Sequence, residues 1–260
     1  MPLLQVEEVS VRFGGVMANQ GVNLHADAGH ITGLIGPNGA GKTTMFNVIT
    51  GLQDPTEGRV LVDGKDVTAL KPHRRARLGL ARTFQRLEVF GSLTARDNVL
   101  VAAEIRKRWA RDGSDPRAVA EEVLERVGIT NVADERVDAM PTGMARLVEL
   151  ARALAAQPRL LLLDEPGSGL DETETEAFGD LLLDLARKGL GMLLVEHDVD
   201  LVMRVCDLIF VLDFGRIIAV GTPSEIQQNP DVQAAYLGAE DPDAADQTAG
   251  HLTEAVVPSS

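Results

Sequence analysis

The sequence predicts an α/β protein with a parallel sheet at its core. Three short apolar runs, Ile31 to Ile35, Leu160 to Leu163 and Met192 to Val195, are bounded by Gly, Asp or Glu. Such runs are typical of strands that are buried on both faces. Helical patterns lie between the runs, as at Met45 to Ile49 and Phe178 to Leu185. Strands that alternate with helices in this order favour a parallel sheet covered by helices.

Other strands are expected at both ends of this core. Val9, Val11 and Phe13 alternate with polar residues, which is the period of a half-buried strand. The segment Gly58 to Val67 predicts a hairpin, because Val60, Leu61 and Val62 precede the turn dipeptide Asp-Gly. A second hairpin is predicted over residues 208–220, around the turn segment Asp-Phe-Gly-Arg.

The middle of the chain predicts an inserted helical lobe, over about residues 87–155. Strand patterns are missing there, and apolar residues fall on one helical face. Thr222 to Glu225 predicts a helix start, with a hydroxyl cap, a proline and a glutamate. We expect one folded domain over residues 1–238, with the helical lobe inserted in it. Residues 239–260 contain few large apolar groups, so we expect an acidic, disordered tail.

Bulk properties exclude several classes of protein. The chain of 260 residues has a formal charge of −14, opposite in sign to that of most proteins that coat nucleic acid. No run approaches the roughly 18 apolar residues of a membrane span, and the start, Met1 to Ser10, does not resemble a secretory signal. Cys206 is the only cysteine, which excludes an internal disulfide. We expect a cytoplasmic protein that does not bind nucleic acid.

A phosphate-binding loop follows the first buried strand. It reads, in order, Gly36, Pro37, Asn38, Gly39, Ala40, Gly41, Lys42 and Thr43. This sequence matches G-x-x-x-x-G-K-[ST] between a strand and a helix, which is the context that the motif requires. Lys42 is expected to bridge the β and γ phosphates, and the Thr43 hydroxyl to hold Mg²⁺. The alternative is a glycine-rich turn without a ligand.

Two carboxylates end the second buried strand. Asp164 and Glu165 follow Leu160 to Leu163 directly, at the sheet edge where α/β proteins bind ligands. Asp164 is expected to orient the metal, and Glu165 to polarise the attacking water. Without the phosphate loop, the same pair would be only a polar strand end.

Several further segments define a family. They are Ala81 to Gln85, Leu150 to Leu154, Ser168 to Asp171 and Val195 to Asp198. Their order and spacing around the phosphate loop resemble the ATP-binding cassette subunits of ABC transporters along nearly the whole chain. The resemblance implies the P-loop NTPase fold: a parallel-sheet core, an antiparallel β subdomain and an inserted helical subdomain.

The resemblance also implies roles for single residues. Gln85 is the Q-loop glutamine, which contacts metal and water, and His197 is the switch histidine at the γ-phosphate. Asp171 belongs to the D-loop, and Thr44 joins the nucleotide-binding residues. Phe13 is implied to stack on adenine, although its strand pattern with Val9 and Val11 equally allows a core position. Alone, Gln85 would be a surface amide and His197 a loop imidazole.

Two stretches narrow the family to one branch. Residues 81–90 and 221–238 resemble importers of branched-chain amino acids or related polar solutes. The resemblance implies ATP and Mg²⁺ as ligands, and a position at the cytoplasmic face of a prokaryotic cell membrane. It also implies membrane permease subunits, a second ATP-binding subunit and, indirectly, a solute-binding protein as partners. The dimer is either a homodimer or a heterodimer.

One motif departs from the family. The signature segment, close to L-S-[GY]-G-Q in relatives, reads here Met140, Pro141, Thr142, Gly143 and Met144. Proline removes a backbone N–H and supplies no hydroxyl, and methionine replaces an amide, so the clamp on the partner subunit's nucleotide is expected to be weaker. Proline in a first helical turn is structurally acceptable, and the alternative is that Thr142 supplies a hydroxyl one position late. The leading hypothesis is an ATPase that drives transport. The alternative is a nucleotide-gated regulatory or assembly subunit that hydrolyses ATP weakly.

Overall fold

The structure is a computed structural model that describes residues 2–237. The predicted disordered tail, 239–260, lies outside the described residues. In the described part, the strands are β1 (Leu4–Phe13), β2 (Val16–Ala26), β3 (Ile31–Ile35), β4 (Glu57–Val62), β5 (Lys65–Asp66), β6 (Leu80–Arg82), β7 (Leu160–Asp164), β8 (Gly191–Val195), β9 (Leu208–Asp213) and β10 (Arg216–Gly221). The helices are α1 (Lys42–Thr50), α2 (Pro72–Arg77), α3 (Ala95–Ala110), α4 (Pro116–Val127), α5 (Thr142–Ala155), α6 (Glu172–Arg187), α7 (Val199–Val205), α8 (Pro223–Gln227) and α9 (Pro230–Leu237).

The larger sheet has the strand order β10-β9-β3-β8-β7-β6. Its strands β9, β3, β8, β7 and β6 pair in parallel, and β10 joins antiparallel at one edge. The predicted parallel sheet is therefore confirmed. The order places β3 and β7 on either side of β8, so the loops that follow these strands emerge at the same edge.

Both faces of this sheet are covered, which explains the apolar runs. Leu161 and Leu163 of β7 pack in one hydrophobic cluster, with α3 to α6. Leu160 and Leu162 pack in a second cluster, with α1 and the smaller sheet. Successive side chains of a strand point to opposite faces. A strand between two cores therefore requires apolar residues at every position.

The smaller sheet is antiparallel throughout, with the order β2-β1-β4-β5. Its β4–β5 hairpin turns at Asp63 and Gly64, whose φ angles are 52° and 72°. Two consecutive positive φ angles are typical of the turn that Asp-Gly favours. The sheet packs against α1 through the second cluster and supports the phosphate loop from one side.

Residues 87–155 are largely helical, as the sequence predicts. They contain α3, α4, α5 and two short 3₁₀ turns, and one isolated bridge between Thr94 and Arg136. Val99, Val123 and Val148 of the three helices belong to the same cluster as one face of the parallel sheet. No helix within residues 2–237 is long and apolar enough to cross a membrane.

Two strands were not predicted. β6 has three residues, which is too short for a periodic pattern, and it is fixed by parallel pairing with β7. β2 contains polar residues such as Asn19 and Gln20, and its register with β1 shifts at several points. Pairing with neighbouring strands determines these elements more than their own composition does.

Candidate functional site

The phosphate loop joins β3 to α1 at the carboxyl edge of the sheet, and two of its glycines are sterically required. Gly36 has φ 151°, and a Cβ there would lie 1.9 Å from the carbonyl oxygen of Leu212. Gly41 has φ 108°, and its Cβ would lie 2.4 Å from the carbonyl oxygen of Ala18. Only glycine allows the loop to approach both neighbouring strands so closely.

Lys42, the first residue of α1, lies inside the loop. Its ammonium donates hydrogen bonds to the carbonyl oxygens of Gly36 (2.6 Å) and Pro37 (2.9 Å). Burial lowers the pKa of Lys42, and the charges of Glu165 and Asp164 partly oppose that shift. No side chain caps the start of α1. A lysine ammonium beside an uncapped helix start fits a phosphate group.

Asp164 ends β7 and is paired with a buried arginine that received no role from the sequence. Arg82 Nη2 lies 2.6 Å from Asp164 Oδ2, and the two side chains are 7% and 5% exposed. Arg82 also donates to Asn47 Oδ1 at 2.7 Å. The guanidinium lies over the rings of Phe46 and Phe84, at 5.4 and 5.0 Å. Arg82 thereby holds the Asp164 carboxylate in place from the side of β6.

Three of the predicted residues meet at one carboxylate. Glu165 Oε2 accepts a hydrogen bond from Gln85 Nε2 at 2.8 Å, and Oε1 lies 2.8 Å from His197 Nε2. These side chains come from the loops that follow β6, β7 and β8. The Glu165 side chain is 17% exposed and that of His197 is 48% exposed. The group can therefore be reached from solvent at the edge of the phosphate loop.

The donor set fits a magnesium ion. Thr43 is exposed at the start of α1, and Asp164 and Gln85 offer oxygen ligands of the kind that Mg²⁺ prefers. Among residues 2–237, no group of three or more His, Cys, Asp or Glu side chains could hold a metal by itself. A magnesium ion at this edge would therefore take further ligands from phosphate oxygens and water, as Mg²⁺ usually does.

The structure rejects a core position for Phe13. Val9 and Val11 are fully buried, whereas Phe13 is 50% exposed at the end of β1. The register between β1 and β2 shifts at Val9, Val11 and Arg12, so the alternation of the sequence does not continue to Phe13. Val16, which pairs with Phe13 across the turn, is also exposed. Phe13 and Val16 therefore form an exposed apolar pair at the turn between β1 and β2.

The signature segment begins α5, but Pro141 does not lie in the first helical turn. It is the N-cap residue, with φ −57° and ψ 152°, and Thr142 is the first helical residue. The N–H that proline lacks therefore belongs to the cap position and not to a residue within α5. What is lost is a side-chain cap, because no cap hydrogen bond is made there.

α5 also holds the loop that carries Gln85, through a buried ion pair. Arg146 donates to the carbonyl oxygens of Gln85 (2.8 Å) and Phe84 (3.2 Å). Glu149, 3.2 Å from Arg146, accepts from the amides of Phe84 (3.4 Å) and Glu88 (3.3 Å). Burial raises the pKa of Glu149, and these amides and Arg146 oppose the shift. The sequence contained one signal for this ion pair: Arg146 and Glu149 are charged residues on the side of α5 that is otherwise apolar.

Asp171, which the family resemblance assigns to the D-loop, is the N-cap residue of α6. Its carboxylate accepts from the Glu174 amide at 2.8 Å, and the Glu174 carboxylate accepts from the Asp171 amide at 3.0 Å. This reciprocal pair is a capping box. Glu174 also lies so close to Gly143 that a Cβ there would be 2.4 Å from its carboxylate. The D-loop and the signature segment are therefore neighbours within one chain.

The chain matches known families over most of its length. A family model described as "ABC transporter" matches residues 19–168, and one described as "Branched-chain amino acid ATP-binding cassette transporter" matches residues 216–242. The chain is 40% identical to the "High-affinity branched-chain amino acid transport ATP-binding protein BraF" of Pseudomonas aeruginosa, over 91% of this chain and 98% of that protein. It is 35% identical to the "Lipopolysaccharide export system ATP-binding protein LptB" of Haemophilus influenzae, over 92% of this chain and 98% of that one.

Solved structures of ATP-binding cassettes are also similar to this chain over most of its length. A nucleotide-free ATP-binding cassette from an ABC transporter superposes with a TM-score of 0.82 at 30% identity, covering 91% of this chain and 99% of that one. A dimeric cassette in a post-hydrolysis state, bound to ADP and Pi, gives a TM-score of 0.74 at 28% identity, covering 85% and 98%.

We predict that Arg82→Met destabilises the fold strongly. It leaves the buried Asp164 carboxylate unpaired, which costs about 3–5 kcal/mol of unfolding free energy. Urea denaturation measures the loss. The double variant Arg82→Met/Asp164→Asn recovers part of it, since no unpaired charge remains. The control is Arg59→Met, whose partner is Glu7 at 2.6 Å with side chains 56% and 36% exposed, and which costs less than about 1 kcal/mol. Equal losses from the two single variants would contradict the prediction.

Proposed function

We propose a function for this chain from the premise that it belongs to the ATP-binding proteins of ABC transporters. It is an ATPase whose hydrolysis is coupled to transport across a membrane. The observation that carries the rest of the proposal is the Glu165 carboxylate, held between Gln85 and His197 at the edge of the phosphate loop.

The phosphate loop and Lys42 bind the triphosphate. The Lys42 ammonium already lies inside the loop, on the carbonyl oxygens of Gly36 and Pro37. When ATP binds, it exchanges these contacts for phosphate oxygens. The nucleotide-binding residues are Gly36, Pro37, Asn38, Gly39, Ala40, Gly41, Lys42, Thr43 and Thr44. The exposed Phe13 ring stacks on adenine, which suits a half-exposed aromatic face.

Glu165 activates the water that attacks the γ-phosphate. Its carboxylate is oriented by two side chains from different loops, so it accepts the proton of a water in a fixed direction. His197 is placed to contact the γ-phosphate, and Gln85 would contact the metal and the water when they are bound. Thr43, Asp164 and Gln85 would hold Mg²⁺, which when bound would supply positive charge against the phosphates. Phosphoryl transfer needs little covalent chemistry from the protein, so positioning and charge supply the rate.

The transported solute is a branched-chain amino acid. The support is the match of residues 216–242 to a model of that branch, together with the similarity to BraF. LptB is nearly as similar along its length and is named for lipopolysaccharide export. Overall similarity therefore does not identify the solute, and the proposal depends on the match of residues 216–242.

Members of this family work as dimers with membrane permeases. The chain is thus peripheral to the membrane. We further propose that it lies at the cytoplasmic face, pairs with a second ATP-binding subunit and serves a solute-binding protein through the permeases. The cytoplasmic position follows from the need for ATP.

The regulatory alternative is not favoured. It was suggested by the signature segment, yet Pro141 removes no amide from α5, and Glu165 keeps both of its side-chain partners. A weaker clamp, which acts on the partner subunit's nucleotide, remains compatible with an ATPase.

We predict that Glu165→Gln strongly lowers the rate of ATP hydrolysis and leaves ATP binding intact. Loss of the base lowers the ATPase rate about 10²–10⁴-fold, measured as phosphate release with Mg²⁺ and the permease partners present. Calorimetry shows ATP binding retained in Glu165→Gln and lost in Lys42→Ala. The control, Glu172→Gln, changes an exposed carboxylate in the first turn of α6 and keeps the native rate. Hydrolysis by Glu165→Gln at the native rate would contradict the assignment.

The solute is tested by uptake into vesicles that contain this chain, its permeases and the co-purifying solute-binding protein. We expect ATP-dependent uptake of labelled leucine, isoleucine and valine, which disappears with Lys42→Ala. Uptake of another labelled solute but none of these three would overturn the solute while leaving the ATPase intact.

The signature segment is tested by restoring the family residues. We expect Pro141→Ser with Met144→Gln to raise the ATPase rate about tenfold, because a capped helix start and a side-chain amide strengthen the clamp by roughly 1–1.5 kcal/mol. The control is Met203→Gln, the same change at a half-buried methionine of α7. An unchanged or lower rate in the restored variant would show that the departure does not weaken the clamp.

A further inference from the structure

One buried acid at the site has no assigned role. Glu196 follows β8 directly, precedes His197, and is only 6% exposed. Buried carboxylates need hydrogen-bond donors, because an unpaired charge in an apolar environment is costly. The groups that donate hydrogen bonds to the Glu196 carboxylate therefore show which segments it holds in place.

The two oxygens of Glu196 accept hydrogen bonds from two different loops. Oε1 accepts from the amide of Gly167 at 2.5 Å, and Oε2 accepts from the amide of His197 at 3.0 Å. Gly167 lies two residues after Glu165 in the loop that follows β7. One carboxylate thus links the backbone beside the proposed base to the backbone of the proposed γ-phosphate contact.

A second link lies beside the first. The Glu165 amide donates to the Val195 carbonyl oxygen at 2.8 Å. The two links hold the loops at residues 165 and 167 on one side and at 195 and 196 on the other. Glu165 has φ 50°, a conformation that costs a non-glycine residue about 1–3 kcal/mol and persists only when neighbouring contacts hold it.

The fit is close on the Gly167 side. A Cβ at Gly167 would lie 2.9 Å from Glu196 Oε1, so a side chain there would push the carboxylate away. Burial raises the pKa of Glu196; the amides of Gly167, His197 and Asp198 oppose the shift, and the charge of Glu165 adds to it. Three amide donors suit the ionised form, which only accepts hydrogen bonds.

We propose that Glu196 is a positioning residue that fixes Glu165 and His197 relative to each other through the backbone of their two loops. It keeps the 2.8 Å contact between Glu165 Oε1 and His197 Nε2 without touching the nucleotide. The proposal rests on the proposed ATPase function, since it assigns Glu196 to the same reaction.

The test is Glu196→Gln, which keeps the size of the side chain but places an NH₂ group against one of the amides. We expect kcat to fall about 10- to 100-fold, as small displacements of catalytic groups do, while KM for ATP and the calorimetric Kd change less than about twofold. The control is Asp207→Asn, whose carboxylate accepts the Ile31 amide at 2.8 Å at the other end of β3. It lowers Tm and leaves kcat unchanged.

A double variant separates positioning from general stability. If Glu196 acts through Glu165, Glu165→Gln/Glu196→Gln is no slower than Glu165→Gln alone, because residues that act as a unit are not additive. Multiplied losses would overturn the proposal. So would a fall in kcat of the Asp207→Asn control in proportion to its Tm, because the loss in Glu196→Gln would then reflect general stability. Should Glu196→Gln fail to fold, Gly167→Ala breaks the same link from the other side and is expected to give the same kcat effect with unchanged KM.

Hydrogen exchange tests the link without turnover. We expect the amides of Gly167 and His197 to exchange faster in Glu196→Gln than in the native chain, while the Ile31 amide is unaffected. Equal exchange would contradict the proposal whatever the ATPase result. An inactive native chain with the expected exchange pattern would instead contradict the proposed function.

Discussion

Parallel pairing of β7 with β8, and of β8 with β3, is the constraint on which the site depends. Parallel strands end at the same edge, so the phosphate loop after β3, the Glu165 loop after β7 and the His197 loop after β8 must meet there. The apolar residues that fill both faces of these strands fix their register. The packing of the core is thus the direct cause of the 2.8 Å contact between Glu165 and His197.

Charge balance gives this edge its precision. Lys42 is buried beside Glu165 and Asp164, and Asp164 is paired with Arg82. Glu196 receives amide donors in place of a cation. In surroundings of low dielectric constant, each pairing is strong and an unpaired member is costly. The groups are therefore oriented by contacts that the protein makes on its own, which is the preorganisation that electrostatic catalysis requires.

α5 connects the two halves of a transport cycle within one chain. Its first residues form the signature segment, for which we propose an action on the partner subunit, and Arg146 and Glu149 hold the backbone of the Gln85 loop. Gln85 in turn contacts Glu165. A displacement of the helix by a permease or by a partner would therefore move a side chain of the active site, through a rigid element with defined contacts.

The sequence by itself determined the features that depend only on residues adjacent along the chain. The glycine spacing of the phosphate loop, the Asp164 and Glu165 strand end and the Asp-Gly turn are patterns of a few residues, and each one predicted its structure. Family resemblance supplied Gln85 and His197. Only the tertiary structure showed the contacts of Arg82, Arg146, Glu149 and Glu196, because most of their partners lie tens of residues away along the chain. Burial of charge depends on which distant segments pack together, and no local pattern contains that information.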